Sequence, residues 1–256
     1  MKLVGVQLDI VWEDKPATFD RVRRLLDAAP PGPGSLIVLP EMFATGFSMN
    51  VAGIHEAASR PAERFLESLA REHRSHVLGG VVNLGPDGRG LNQALAVSPT
   101  GQHLARYDKI HPFTLGEESN HYTGGAAIRC FDWAGLKVCP LVCYDLRFPE
   151  TFRAAVKQGA ELFAVIANWP SRREHHWTTL LAARAIENLA YVVGVNRCGS
   201  DPHHPYPGRS QIIDPHGKIL ADGGSIECLV AADLDPAAVT AWRRDFPALA
   251  DIKPTV

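Results

Sequence analysis

The chain has no apolar run that approaches the roughly 18 residues a bilayer-crossing helix needs, so a membrane-spanning reading is excluded. Its first residues, Met1 to Asp9, are not expected to form a secretory signal, because Gln7 and Asp9 interrupt the apolar stretch. Neither sign of charge is in excess. Lys plus Arg is 26 and Asp plus Glu is 28 in 256 residues, a formal charge of −2. That leaves no surplus of cations to neutralise a nucleic-acid backbone. Cysteine is sparse and odd in number, five in all. Such a set points to reduced thiols and a cytoplasmic location. Cys139 and Cys143 stand as C-x-x-x-C, not the C-x-x-C of a redox dithiol or zinc knuckle. His175-His176 and His203-His204 lack partners at metal-ligand spacing, so no metal is expected. Repeats, charge blocks and low-complexity linkers are also missing.

What remains is the composition of an ordered protein. Apolar residues make up 46% of the chain, too many for disorder at this net charge. A chain this long makes one large domain or two small ones, since a single core can still bury roughly three-quarters of the unfolded surface at about this size. Short apolar runs alternate with amphipathic segments. Runs 3–8, 36–39, 76–82, 136–143, 162–167, 191–196 and 228–234 read as strands, and 17–28, 61–74, 149–158 and 173–189 as helices. Asp14 and Thr18 are the candidate caps of the first helix. Pro99-Thr100-Gly101 and Asp214-Pro215-His216-Gly217 mark hairpins. Continuous apolar strands imply sheets covered on both faces, hence a layered α/β fold with mixed sheets. The irregular stretches 42–60, 108–127 and 197–209 are long for a compact domain, and substrate contacts are expected there.

Three strand ends carry chemistry. Leu36-Ile37-Val38-Leu39 runs into Glu41, the strand ending at Tyr107 runs into Lys109, and Val138 to Val142 runs into Cys143 before a helix near Pro149. Taken singly, each has an ordinary reading: a solvated glutamate, a surface lysine, a core cysteine. Taken together, a carboxylate, a cation and a thiol at successive strand ends make a nucleophile with its own base and charge stabiliser.

The segments Leu39-Pro40-Glu41-Met42-Phe43, Tyr107-Asp108-Lys109-Ile110-His111 and Leu141-Val142-Cys143-Tyr144-Asp145-Leu146-Arg147-Phe148-Pro149-Glu150 closely resemble the three signature regions of the nitrilase superfamily, the carbon–nitrogen hydrolases. They occur in that family's order, and the resemblance covers roughly residues 2–250. Ala167-Asn168-Trp169-Pro170, His176-Trp177, the stretch Arg184 to Tyr191, Asn196-Arg197 and Gly208-Arg209-Ser210 are similar to the ω-amidase branch. The resemblance implies one domain over residues 1–256, a four-layer α-β-β-α sandwich. It implies hydrolysis of the terminal carboxamide of a small dicarboxylic acid monoamide, such as 2-oxoglutaramate or 2-oxosuccinamate, with no cofactor.

The roles implied are Glu41 as general base and acid, Lys109 as charge stabiliser and Cys143 as nucleophile, with the Tyr144 amide helping to hold the oxyanion. A fourth residue is implied in the loop between Lys and Cys, seven residues before a glycine. In Gly116 to Gly124 that offset selects Glu117 over Glu118. Arg147 either binds the substrate's free carboxylate or is a structural ion-pair partner, with Arg172, Arg173 and Arg197 as weaker candidates. Phe43, Tyr122, Tyr144 and Trp169 are the aromatic candidates for the pocket lining. Family members commonly form dimers or larger assemblies, so a homodimer or higher homo-oligomer is expected, through the helix after Pro149 and helix 173–189. The rival readings are nitrile or N-carbamoyl hydrolysis, and a catalytically silent protein that binds small acids.

Overall fold

The structure is a computed structural model that describes residues 1–253; residues 254–256 of the expected domain lie outside the described residues. In chain order the elements are β1 (Lys2–Gln7), α1 (Lys15–Ala28), β2 (Leu36–Val38), α2 (Val51–Ile54), α3 (Pro61–His73), β3 (His76–Leu84), β4 (Gly90–Val97) and β5 (His103–Asp108). There follow α4 (Glu118–His121), β6 (Phe131–Trp133), β7 (Leu136–Val142), α5 (Pro149–Lys157), β8 (Leu162–Ala167), α6 (Glu174–Asn188) and β9 (Tyr191–Asn196). The last are β10 (Cys198–Ser200), β11 (Pro205–Pro207), β12 (Gln211–Ile213), β13 (Ile219–Asp222), β14 (Cys228–Asp233) and α7 (Pro236–Asp245).

Two six-stranded mixed sheets carry the fold, ordered β14-β1-β2-β3-β4-β5 and β13-β12-β9-β8-β7-β6. Strand alternation builds the layers, because successive side chains leave opposite faces. Leu36, Val38, Leu78, Ala94 and Ala96 of the first sheet share one core with Val142, Ala164 and Val193 of the second. Their neighbours Ile37, Leu39, Val77, Leu95 and Val97 face the other way, into a core with Val22 and Leu26 of α1 and Leu66 and Leu69 of α3. The far side of the second sheet is covered by Phe152 and Ala155 of α5 and by Trp177, Leu181 and Ala185 of α6. The result is the expected helix–sheet–sheet–helix stack, with continuous apolar strands such as β8 and β9 buried throughout. Contact between α6 and β9 is so close that a Cβ on Gly194 would lie 2.4 Å from Leu181.

Local chemistry sets the boundaries. The Asp14 carboxylate accepts from the Ala17 amide at 3.0 Å and caps α1. Thr18, the other candidate, is buried and accepts from the Val11 amide instead. Helix α3 opens with Pro61 and closes on Arg74, a left-handed residue whose amide reaches the Ala70 and Arg71 carbonyls.

Within the first sheet β2 is parallel to β3, and β4 is antiparallel to both β3 and β5. β2 and β5 therefore end at the same edge, where β4 begins. In the second sheet β7, β8 and β9 are mutually parallel. The edges at which these strands finish meet each other, and the side chains of the next section come from them. No helix among the described residues is long and apolar enough to cross a membrane.

Candidate active site

Glu41 follows β2 on a loop that lies against β3. At Gly80 the loop comes so close that a Cβ would stand 2.2 Å from the Met42 amide nitrogen. Only glycine admits this approach, and the Gly80 amide donates to the Pro40 carbonyl at 3.1 Å. Glu41 is thereby fixed with no exposed surface.

The Glu41 carboxylate is held at both oxygens. Oε1 accepts from Lys109 Nζ at 3.0 Å and from Asn92 Nδ2 at 2.7 Å. Oε2 accepts from the Asn168 backbone amide at 2.8 Å and, more loosely, from Asn168 Nδ2 at 3.4 Å. Asn168 Nδ2 also donates to the Glu41 carbonyl at 2.7 Å, so the first residue after β8 grips the loop from the opposite sheet.

Lys109, the first residue after β5, is 2% exposed and lies between two carboxylates. The second is Glu118, whose Oε2 accepts from Nζ at 2.7 Å. Burial alone would pull the ammonium down; Glu118 and Glu41 outweigh it and raise its pKa, so Lys109 stays charged. Burial pushes Glu118 above its ordinary range, with Lys109 opposing and Glu41 adding to the rise. Asn92, on β4, donates to Glu118 Oε1 at 2.8 Å with the same amide nitrogen that serves Glu41. It thus ties the two carboxylates together.

The expectation for Glu117 is therefore corrected. Glu117 has a left-handed backbone (φ 59°) after the turn Thr114–Gly116 and is exposed at the rim, whereas Glu118 starts α4 and turns inward. Counting back from a glycine cannot register that reversal.

Cys143 occupies the turn between β7 and the short 3-10 segment Cys143–Arg147, with φ 47°, a left-handed value that is costly for a residue bearing a Cβ. Asp145 holds the turn. Its Oδ2 accepts from the Val142 amide (3.0 Å) and the Tyr107 hydroxyl (2.8 Å). Its Oδ1 accepts from the His111 amide (3.0 Å) and contacts His111 Nδ1 (2.8 Å). One buried carboxylate therefore links the Lys109 segment to the Cys143 turn. Burial pushes the Cys143 thiol well above its ordinary pKa, and the Glu41 charge adds to this more than Lys109 relieves it. Both effects favour the thiol over the thiolate.

Cys143 opens into a cleft of about 670 Å³. Tyr144, Arg147 and Trp169 line it, and Glu117 touches its rim. Phe43 does not belong to it. The strand-end geometry turns Phe43 into the helix-covered core, where it meets Phe19 and Phe65, and Phe47 lines the cleft instead. Tyr122 is likewise core, its hydroxyl donating to the Ser48 carbonyl at 2.6 Å.

Arg147, Arg172 and Arg173 share one wall of the cleft. The Arg147 guanidinium lies 4.8 Å over the Trp169 ring and 3.1 Å from His176 Nδ1, and Arg173 lies 5.1 Å over Phe113. Burial first, then Arg172, draws Arg173 below its ordinary value. The fourth arginine, Arg197, is fully buried. It is spent on Asp9, the Ile10 and Ser200 carbonyls and the face of Tyr206, so it is a structural residue. The three long irregular stretches do contribute to the cleft, through Phe47 to Asn50, Phe113 to Glu117 and Asp201 to Tyr206.

Comparison with known proteins agrees with this geometry. The carbon-nitrogen hydrolase family pattern matches residues 4–244. An omega-amidase of Yersinia enterocolitica is 40% identical, covering 98% of this chain and 96% of its own. A 2-oxoglutaramate amidase of Bacillus subtilis is 35% identical over 85% of each chain. A CN-hydrolase superfamily protein of Xanthomonas campestris, solved with an arsenic adduct in its active site, superposes with a TM-score of 0.92 at 32% identity over 100% of this chain and 98% of its own. The chain belongs to the carbon-nitrogen hydrolase family.

Proposed function

We propose that the chain is an ω-amidase, releasing ammonia from the terminal carboxamide of a small dicarboxylic acid monoamide through a thioester on Cys143. The observation that carries this reading is a cleft that Cys143 shares with three guanidiniums, Arg147, Arg172 and Arg173, none of them ion-paired to a carboxylate among the described residues. A thiol beside such a wall suits a substrate that is an amide at one end and a carboxylate at the other. The names borne by the Yersinia and Bacillus relatives agree with it.

The chemistry follows from the charges. A protonated thiol is a poor nucleophile, so attack on the amide carbon needs concerted loss of the proton. Glu41 is the base. Two donors occupy Oε1, while Oε2 accepts one short hydrogen bond and one long one, which leaves Oε2 the freer site for the proton. As the tetrahedral oxyanion forms, the Lys109 ammonium and the Tyr144 amide hold it. The first amides of a helical turn have no intrahelical carbonyl to serve, and one such donor is typically worth about 2.7–4 kcal/mol of barrier. Glu41 returns the proton to the departing nitrogen, ammonia leaves, and the acyl group stays on sulfur. Water then attacks the thioester with Glu41 again taking the proton, and the free acid departs. Glu118 keeps Lys109 charged and in place through both halves.

The test is ammonia release from 2-oxoglutaramate, 2-oxosuccinamate, succinamate, glutamine and a simple nitrile, compared by kcat/KM. The oxo-acid monoamides should lead. A neutral amide or the nitrile turning over faster than every acid in the panel would overturn the assignment.

A further inference from the structure

We propose that Cys130 and Cys139 are a peroxide-sensitive thiol pair that oxidises to a disulfide across the β6–β7 hairpin. The register places them together. Phe131 pairs with Val138, Asp132 with Lys137 and Trp133 with Leu136, so one step further along the same ladder sets Cys130 opposite Cys139. The turn between the strands, Ala134-Gly135, has two residues with positive φ, 48° and 88°, the signature of a two-residue hairpin loop. In such a hairpin the pair that closes the turn, here Trp133 with Leu136, exchanges both backbone hydrogen bonds. Alternation then makes 132–137 a non-hydrogen-bonded pair, 131–138 a hydrogen-bonded one, and 130–139 non-hydrogen-bonded again.

That parity matters. Opposed residues at a non-hydrogen-bonded site have Cα atoms about 4.5 Å apart and their side chains at closest approach. Disulfides span Cα separations of roughly 4.4–6.8 Å, so the bridge needs no backbone displacement.

The two sulfurs also differ as a reactive pair should. Cys139 is fully buried, while Cys130 is part-exposed at the open edge of the sheet, since β6 is the last strand in its order. The neighbouring Cys139 thiol pulls Cys130 below its ordinary value against the cost of burial, and Lys137 on the same face helps. Cys139 moves the opposite way. Cys130 is thus the sulfur that meets the oxidant, and Cys139 resolves it. With hydrogen peroxide as oxidant, the Cys130 thiolate displaces hydroxide from the peroxide and becomes a sulfenic acid. The Cys139 sulfur then attacks the Cys130 sulfur, the S–O bond breaks, and water leaves with the thiol proton. Two thiols and one peroxide give one disulfide and two waters. Neither cysteine lines the cleft, so the bond would staple the sheet edge without using Cys143.

Native full-length protein is treated with hydrogen peroxide, blocked with an alkylating agent, cleaved with trypsin without reduction and read by mass spectrometry. Cleavage after Arg129, Lys137 and Arg147 puts Cys130 on one peptide and both Cys139 and Cys143 on another. The expected product is those two peptides joined with the loss of two hydrogens. The link should persist in Cys143→Ser and vanish in Cys130→Ser and in Cys139→Ser. A link that disappears with Cys143→Ser, or a Cys130 that advances to sulfinic acid while Cys139 remains an alkylated thiol, would overturn the pairing.

Discussion

Glu117 and Glu118 are adjacent in sequence, yet one is exposed at the cleft rim and the other bonds Lys109. Replacement separates them. Glu118→Gln removes one of the two charges that keep Lys109 protonated, and kcat for ammonia release should fall at least about a hundredfold, the low end for a positioned acid–base group. Glu117→Gln should stay near wild type. If the two variants lose activity equally, the assignment of Glu118 fails. Cys143→Ser should abolish turnover with the fold intact by circular dichroism. Lys109→Met should cost more than tenfold (~1.4 kcal/mol), and a smaller loss contradicts an oxyanion role. For Arg147→Ala, KM should rise for acids with a free carboxylate and barely move for neutral amides; equal changes would mark a structural arginine. Glu41, Lys109 and Cys143 drew attention because each stands just past a strand end and the three segments around them resemble one family's signature regions in order. Phe43 and Phe47 were not separable, because both lie in one irregular loop where no period says which ring faces the core. Asn92 and Asn168 escaped notice for a different reason: a neutral amide in a strand or at its end carries no charge or spacing signal. Their partners are 51 and 127 residues away.

Among the elements, most of the long ones announced themselves; the ten-residue α7 did not. α1, α3, α5 and α6 and the apolar strands carry enough turns or alternations for their period to stand out. The three-residue strands β6, β10 and β11 and the four-residue α4 are shorter than any period that could reveal them, and they depend on tertiary contacts for their existence. The turn at Cys143 belongs with these, since the Asp145 carboxylate that holds its left-handed backbone also ties it to Tyr107 and His111. Asp145→Ala would leave the Tyr107 hydroxyl and the Val142 and His111 amides without their acceptor, each at a cost of about 1–3 kcal/mol if unsatisfied. The variant should unfold at a markedly lower urea concentration and lose kcat even where it is still folded. Full activity in the folded variant would show that the turn holds itself. Gly80→Ala tests the other loop: its methyl would displace the Glu41 backbone, so activity should drop more steeply than stability.

At the scale of the whole molecule, burial makes a set of protonated groups reluctant to ionise. Cys143 and Tyr107 are held above their ordinary values chiefly by burial, and Cys139 by the neighbouring Cys130 thiol first and then by burial. Cys198 is pushed up to about 12, by burial first and then by Asp9 and Glu227. Lys109 is raised too, because its two carboxylates outweigh desolvation. In every case the folded state binds the proton more tightly than the unfolded chain does. Their stabilisation is complete below the unfolded values and drains away as pH climbs toward the folded ones. An unfolded cysteine is half ionised at its ordinary value of 9.0, so the loss sets in about one unit below that on the alkaline side. The urea midpoint should therefore be flat from pH 7 to about 8 and fall steadily toward pH 10. Cys198 is 2% exposed and lies outside the cleft lining, which makes it the cleanest probe. One unit above its unfolded value it accounts for about 1.4 kcal/mol of that loss. Cys198→Ala should start less stable at pH 7 from the lost packing, yet its unfolding free energy should decline less between pH 8 and pH 10 by about that amount. An identical decline in wild type and variant would mean that Cys198 ionises as freely in the folded protein as in the unfolded chain.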